Sequence, residues 1–337
     1  MMIIDFRSDT VTRPTPAMLE AMVAAKVGDD VFGEDPSINE LEQMSADMFG
    51  MDAGLFCPSG TMTNQIAIKC HTQPGDEVIC DESAHVYQYE GGGIAFNSGA
   101  SVKLLHGDRG RMNADQVKDS INQDDNHKAH TSLVCLENTS NRGGGSCYDF
   151  NEIKKIKQGC RENDLALHLD GARLWNAMVA KNEVPKQYGE TFDSISICLS
   201  KGLGCPVGSV LLGKKDLIKK ARRIRKVFGG GMRQGGFIAA AGIYALKNNI
   251  ERLKQDHDHA KQIGNAIAKT TFAKSVFPVE TNIIIFETVA AAATIVEKFK
   301  KKNILCYATA PDRVRLVVHH DITEEMVSKT IEIIKAT

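Results

Sequence analysis

No pair of cysteines stands in a C-x-x-C arrangement, and no cysteine–histidine group has zinc-ligand spacing, so no bound metal is expected. The nine cysteines are an odd number scattered through apparent strands and helices, which excludes a disulfide framework and points to free thiols in a reducing compartment. Long apolar runs are missing as well: none approaches the roughly 20 residues that cross a bilayer. Met1-Met2-Ile3-Ile4-Asp5 lacks the basic region and apolar run of a secretory signal, and a cytoplasmic location is expected. Neither charge is in excess. Lys plus Arg is 41 and Asp plus Glu is 42, so nothing in the balance suggests a nucleic-acid or membrane-surface partner. There is no internal repeat or low-complexity tract. No G-x-G-x-x-G follows the early strands, which argues against a nicotinamide-dependent oxidoreductase. What remains, at 337 residues, is a globular chain of about two domains.

One stretch stands out against that background: Ser200-Lys201-Gly202-Leu203-Gly204-Cys205-Pro206-Val207-Gly208-Ser209. The alternating run Ser194 to Leu199 leads into it as a strand. The glycines and proline that follow cannot continue a strand, but they let backbone approach a ligand. A lysine fixed at the mouth of a sheet suits Schiff-base chemistry, because desolvation lowers its pKa and frees the amine. The plainer reading is a surface lysine in a turn.

Taken in order, the segment Asp5 to Pro16 is polar and reads as an unstructured arm. A helix follows from about Pro16 to Ala25. Ser37 and Glu40 form an expected capping box, with Ile38, Leu41, Met44 and Met48 on one helical face. Phe56 to Thr61 reads as a turn that opens a helix running to about Cys70. Ser59, Gly60 and Thr61 at its N-terminus offer free N–H groups, two hydroxyls and a favourable dipole to an anion, or else ordinary capping. Strands and helices then alternate, with strands near Val78, Val102, Thr131 to Leu136, Leu165 to Leu169, Ser194 to Leu199 and Val207 to Leu212. That order predicts an α/β fold, a mostly parallel sheet with helices on both faces. Ligands collect at the carboxyl ends of such strands, where His85, Asn138, Asp170 and Lys201 all fall. The basic run Arg222-Arg223-Arg225-Lys226 reads as a solvated helix face. Gly229-Gly230-Gly231-Met232-Arg233-Gln234 precedes a long helical region from about Phe237 to Thr271. From about Ser275 the pattern becomes a small α+β unit, giving an expected large domain over 1–250, arm included, and a small one over 251–337.

A Schiff-base lysine, an anion seat and a strand-end aspartate together meet the needs of pyridoxal 5′-phosphate. Lys201 takes the aldehyde, the Gly60/Thr61 turn takes the phosphate, and Asp170 keeps the pyridinium nitrogen protonated. His85 is placed to stack on the ring. Each residue alone has an ordinary structural reading, and it is their shared placement that favours the cofactor.

With those residues in hand, the sequence resembles the low-specificity L-threonine aldolases, members of the aspartate-aminotransferase-like (fold type I) pyridoxal-phosphate enzymes. The resemblance runs nearly end to end. It is carried by Phe6-Arg7-Ser8-Asp9-Thr10-Val11-Thr12-Arg13-Pro14, Gly28-Asp29-Asp30-Val31-Phe32-Gly33, Ser59-Gly60-Thr61, Leu167-His168-Leu169-Asp170-Gly171-Ala172-Arg173, Ser200-Lys201-Gly202-Leu203-Gly204, Gly229 to Gln234 and Val314-Arg315-Leu316-Val317. It implies Lys201 as the Schiff-base lysine, Asp170 at the pyridine nitrogen, His85 on the ring, and Gly60 and Thr61 at the phosphate. It also implies Arg173 near the phenolic oxygen and the substrate carboxylate, with Ser8 and Arg315 holding that carboxylate. His127 matches a second active-site histidine of some members, and its loop setting equally suits a solvated side chain. Arg233 is implied to reach a neighbouring subunit's site, since the family builds its sites across a dimer interface and is usually a dimer of dimers. Two departures stand out: Ser140 precedes Asn141 where the family usually has histidine, and Val318 precedes His319 where threonine is frequent.

The activity implied is retro-aldol cleavage of L-threonine or L-allo-threonine to glycine and acetaldehyde, with His85, His127 or a water as the base. The alternatives are another reaction at Cα, β-elimination, racemisation or transamination, or a non-catalytic protein that keeps the fold.

Overall fold

The computed structural model describes residues 2–337. The chain opens with β1 (Ile4–Asp5) and continues through β2 (Ala53–Cys57), β3 (Glu77–Asp81), β4 (Ser101–Leu105), β5 (Thr131–Glu137), β6 (Ala166–Gly171), β7 (Ser194–Cys198) and β8 (Ser209–Gly213). Strands β2 to β8 form one sheet in the order β2-β8-β7-β6-β5-β3-β4. Every residue of β5, β7 and β8 is buried, as expected where helices cover both faces of a sheet. Pairing is parallel from β4 through β7, while β8 runs antiparallel to both β7 and β2. The covering helices bury one side each: Ile153, Ile156 and Cys160 on Phe150–Glu162, and Ile218, Ala221 and Ile224 on Lys215–Val227. No helix among the described residues is long and apolar enough to cross a membrane.

The C-terminal part adds β9 (Ala273–Val276), β10 (Ile283–Thr288), β11 (Ile304–Leu305), β12 (Tyr307–Ala310) and β13 (Arg313–Val317). Four of these form an antiparallel sheet in the order β12-β13-β10-β9. Its core holds Ile263, Ile284, Phe286, Phe299, Leu316 and Val327, separate from the core around the large sheet. The Leu253–Ile267 helix joins the two, with Leu253 in the first core and Ile263 and Ile267 in the second.

Several sequence expectations need correction. The N-terminal arm is ordered: β1 pairs in parallel with β11, and Ile4 and Phe6 pack into the small unit's core. Phe56 and Cys57 end a strand rather than form a turn, because β2 completes the sheet against β8. The expected capping box does not form. Asp35 caps the Pro36–Phe49 helix through Ile38 N–H at 3.0 Å, and Ser37 turns away to donate to the Lys26 carbonyl at 2.7 Å. The long helical region is two helices, Gly236–Asn248 and Leu253–Ile267. The helices Leu174–Lys181 and Pro185–Thr191 were not anticipated. The basic run is not a solvated face throughout, since Arg225 is buried, donating to Asp30 at 2.7 Å and to the Phe56 carbonyl at 2.6 Å.

What holds the arm is a buried ion pair. Asp9, fully buried, accepts from Arg173 Nε at 2.8 Å and Nη2 at 2.6 Å, and from Asn282 Nδ2 at 3.3 Å. Burial opposes ionisation of Asp9, but the Arg173 guanidinium overcomes it and holds the carboxyl at about 2. Replacing one member would strand the other without a counter-charge. Asp9→Asn is therefore expected to lower the unfolding free energy by about 3–5 kcal/mol, read by urea denaturation. The lowered pKa means that Asp9 contributes stability above its ordinary value of 3.8 and loses it as pH falls through about 2. The Asp9→Asn variant should lack that component of acid unfolding.

Candidate active site

Lys201 follows β7 in a turn whose backbone is closely held. Gly204 N–H donates to the Lys201 carbonyl at 2.9 Å, and Thr12 Oγ1 donates to the same oxygen at 3.1 Å. Gly204 has φ +78°, and a Cβ there would meet the His320 ring at 2.8 Å, so both conformation and space require glycine. The Lys201 ammonium lies 3.5 Å from Cys198 Sγ. Burial alone would pull its pKa down, but Cys198, Asp9 and Asp170 together raise it above the ordinary 10.5. This reverses the sequence expectation that desolvation would free the amine: the surrounding negative charge outweighs burial.

Asp170 ends β6 and is buried. It accepts from Ala172 N–H at 3.0 Å and from Asn64 Nδ2 at 3.0 Å. Asn64 sits one turn into the Gly60–His71 helix, so the helix whose N-terminus carries Gly60 and Thr61 is tied directly to the strand-end aspartate. At that N-terminus Ser59 caps Met62 N–H at 3.2 Å. Opposite it, Ser209 Oγ is buried without a hydrogen-bond partner, 3.4 Å from where a Cβ on Gly60 would stand. His85 opens a short helix after β3, and its N–H donates to the Glu137 carboxylate at 2.8 Å. Its Nδ1 lies 2.9 Å from Glu90 Oε1. Glu137 ends β5, where burial and the neighbouring Asp170 push its carboxyl up to about 7.

The opposite wall is cationic. Arg315, on β13, donates through Nη1 to Asn141 Oδ1 at 2.7 Å and through Nη2 to the Arg7 carbonyl at 3.0 Å. Among the described residues it has no carboxylate partner, and its buried Nε has no hydrogen-bond partner. Burial and the charge of Arg173 pull its pKa down to about 10, the mark of a cation in want of an anion. Ser8 caps the adjoining turn through Thr10 N–H at 3.2 Å.

These walls enclose a cleft of about 410 Å³ lined by Ser8, His85, Glu137, Arg173, Lys201 and Arg315, with Tyr307 and Thr309 from the small unit. Of the residues expected from sequence, Ser8, His85, Arg173, Lys201 and Arg315 thus share one space. Asp170 lies beneath it, its carboxylate within 4.8 Å of the His85 ring nitrogen and of Glu90. Gly60 and Thr61 adjoin through Asn64. Arg173 is present, but two of its donors are committed to Asp9. Two residues are not brought to the cleft of their own chain. His127 is 93% exposed on its loop and pairs with Asp125 at 2.8 Å. Arg233 is 67% exposed and pairs with Asp29 at 2.9 Å. Sequence reasoning missed Asp9, Asn64, Glu90 and Glu137. Asp9 stood inside a matching stretch, and Glu137 stood at a strand end, which was the available signal. Glu90 and Asn64 had none.

The family model described as beta-eliminating lyase matches residues 5–291. The low specificity L-threonine aldolase of Escherichia coli (strain K12) is 44% identical over 329 residues, covering 97% of either chain. The low-specificity L-threonine aldolase 1 of Arabidopsis thaliana is 39% identical, covering 98% of this chain and 95% of its own. Among solved structures, the Leishmania major threonine aldolase matches with a TM-score of 0.87 at 22% identity, over 99% of each chain. A putative L-allo-threonine aldolase from Listeria monocytogenes EGD-E matches with a TM-score of 0.83 at 20% identity, over 99% of this chain and 96% of that one. The architecture is the aspartate-aminotransferase-like, fold type I arrangement. On the extent of the family match and the near full-length identity to its curated relatives, this chain belongs to the beta-eliminating lyase family, among the low-specificity L-threonine aldolases.

Proposed function

We propose that this protein uses pyridoxal 5′-phosphate to cleave L-threonine and L-allo-threonine into glycine and acetaldehyde. The residues fit such a cofactor. An unpartnered Ser209 hydroxyl faces the Gly60/Thr61 helix N-terminus, where a phosphate is favoured, and Lys201 and Asp170 lie at neighbouring strand ends. The observation that carries the reading is Arg315, a guanidinium with no carboxylate partner among the described residues, lining the same cleft as Lys201.

When bound, pyridoxal phosphate supplies an aldehyde that captures amines and a ring that draws electrons from a bond breaking at Cα. The protein does the rest. Lys201 provides the amine that holds the cofactor, and Arg173 beside it favours the loss of its proton. Asp170, its charge supported by two N–H donors, holds a proton at the ring nitrogen. Arg315 grips the substrate carboxylate with its guanidinium, assisted by the Ser8 hydroxyl. His85 is the imidazole within the cleft and takes the β-hydroxyl proton at Nε2. The protein acts as a homo-oligomer, proposed as a dimer of dimers, in which Arg233 serves a neighbouring copy's cleft. Val31, Phe32 and Val227 are exposed, and the Val31 side chain lies 3.6 Å from where a Cβ on Gly231, two residues before Arg233, would stand, giving an apolar surface for that contact.

Purified protein supplied with the cofactor should release acetaldehyde and glycine from threonine. 2-Oxobutanoate and ammonia instead would overturn the assignment in favour of β-elimination. Lys201→Ala should lose covalent retention of the cofactor, seen as loss of its visible absorption after gel filtration, and on the order of 10³-fold or more in kcat. Arg315→Lys keeps the charge but not the planar fork. It should raise KM for threonine and lower kcat/KM by about 10- to 100-fold, measured by steady-state assay.

A further inference from the structure

We propose that Glu90 is a positioning residue that fixes the tautomer of His85, placing the hydrogen on Nδ1 and leaving Nε2 as the proton acceptor facing the cleft. The assignment rests on the reading of His85 as the base, and it deepens that reading by naming the group that makes His85 one.

The case begins with what surrounds the Glu90 carboxylate. Its side chain is wholly buried, yet no Lys or Arg among the described residues pairs with it. Oε1 receives Asn64 Nδ2 at 2.9 Å and lies 2.9 Å from His85 Nδ1, and Oε2 receives Gln65 Nε2 at 2.6 Å. With amide donors on both oxygens and no acceptor for a carboxyl hydrogen, Glu90 acts as an acceptor only. His85 Nδ1 must then donate. Nε2 has no hydrogen-bond partner among the described residues, and the ring lines the cleft.

The orientation of Asn64 is independently fixed. Its Nδ2 meets two carboxylates, Glu90 at 2.9 Å and Asp170 at 3.0 Å, so the amide cannot be reversed without setting its oxygen against both. Its Oδ1 therefore accepts from His168 Nε2 at 3.1 Å. His168 Nδ1 in turn accepts from Ser194 Oγ at 2.8 Å, and Ser194 accepts from His71 Nε2 at 2.9 Å. Burial keeps both histidines neutral, pulling His168 down to about 3 and His71 to about 4. Every bond of the chain has one permitted direction, and it ends in Asn64 giving one hydrogen to each carboxylate. His85, Glu90 and Asp170 also bring ligand-type atoms within 4.8 Å of one another, but Asn64 and Gln65 present N–H groups there, which oppose a cation.

The charged groups facing His85 are Glu90 from its own segment, Glu137 from β5 and Asp170 from β6, with Tyr89 at 5.7 Å between ring centroids and Arg142 stacked on Tyr89. Burial lowers the pKa of His85, but these carboxylates, Glu90 by hydrogen bond foremost, raise it above 6.5. Kinetically, a raised base pKa means that activity falls as pH drops below it.

Glu90→Gln removes the charge at nearly constant shape. In nitrogen-15 spectra of the full-length protein, with and without cofactor, wild-type His85 should titrate above its ordinary range with hydrogen on Nδ1. The variant should titrate about one unit lower, with the acid limb of the kcat–pH profile displaced by the same amount. At the optimum, kcat should fall about 10- to 100-fold while KM and cofactor retention stay within about twofold. Glu90→Asp, which keeps the charge, should restore most of the displacement. Hydrogen on Nε2 in the wild type would overturn the assignment. So would a Glu90→Gln protein that loses kcat with both the His85 titration and the pH limb unmoved, which is what a merely structural role predicts. The wild-type spectrum and Glu90→Asp decide the matter if Glu90→Gln fails to fold. Hydrogen on Nδ1, in a protein that releases no acetaldehyde from threonine, would support the placement of the hydrogen while overturning the functional reading.

Discussion

The cleft depends on the link between Asp9 and Arg173. Asp9 comes from the N-terminal arm, Arg173 from the end of β6, and Asn282 of the small unit donates to the same carboxylate. Three parts of the chain, distant in sequence, are thereby held at one point. The link also sets the charge of the site. Arg173, Arg315 and Lys201 crowd one side of the cleft, and Asp9 neutralises one of them. The surplus positive charge is carried chiefly by Arg315, which has no carboxylate of its own. A pair so deeply buried contributes little net stability, because desolvation offsets most of the attraction. Its value lies in register: it fixes where the arm, and with it Ser8, meets the sheet.

The other side of the cleft has the opposite polarity. Glu137 and Asp170 end adjacent parallel strands, β5 and β6, and Glu90 lies close by. Packing three carboxylates together would be prohibitive if each were bare. They are instead served by N–H groups: His85 and Asn141 backbone for Glu137, Ala172 and Asn64 for Asp170, and Asn64, Gln65 and His85 for Glu90. Where the supply is outweighed by burial and by a neighbouring charge, as at Glu137, the proton returns near neutrality.

Much of this was legible in the sequence. Lys201, Asp170 and His85 follow strands whose apolar runs are plain, and ends of parallel strands share one edge whatever the detailed packing. Arg315 was recoverable only by resemblance, since its own strand gives no hint that it reaches across to the large sheet. Asp9 and Glu90 were hidden for a different reason. Burial of a carboxylate is decided by partners far away in sequence, Arg173 for one and the Asn64–Gln65 pair for the other. A local reading treats such residues as solvated. The same logic misjudged Arg225, which looked like one more charge on a basic helix until Asp30 and the Phe56 carbonyl were seen beneath it. The pKa of Lys201 erred in sign because burial was visible in the pattern and the surrounding anions were not.

The reversal of β8 constrains the loop that carries Lys201 in a way its composition does not reveal. Because β8 runs back between β7 and β2, Ser209 lies opposite both Cys198 and Cys57. A slip of one residue in the pairing of β8 would turn every one of its side chains to the other face of a sheet that is buried on both. Ser209 would leave Gly60, and the packing of two helix layers would be exchanged. The register of β8 is therefore held by the packing on its two faces, not by the chemistry of the loop before it. Lys201 and Gly204 fix two of the loop's side chains, and the buried register of β8 fixes where the loop must end.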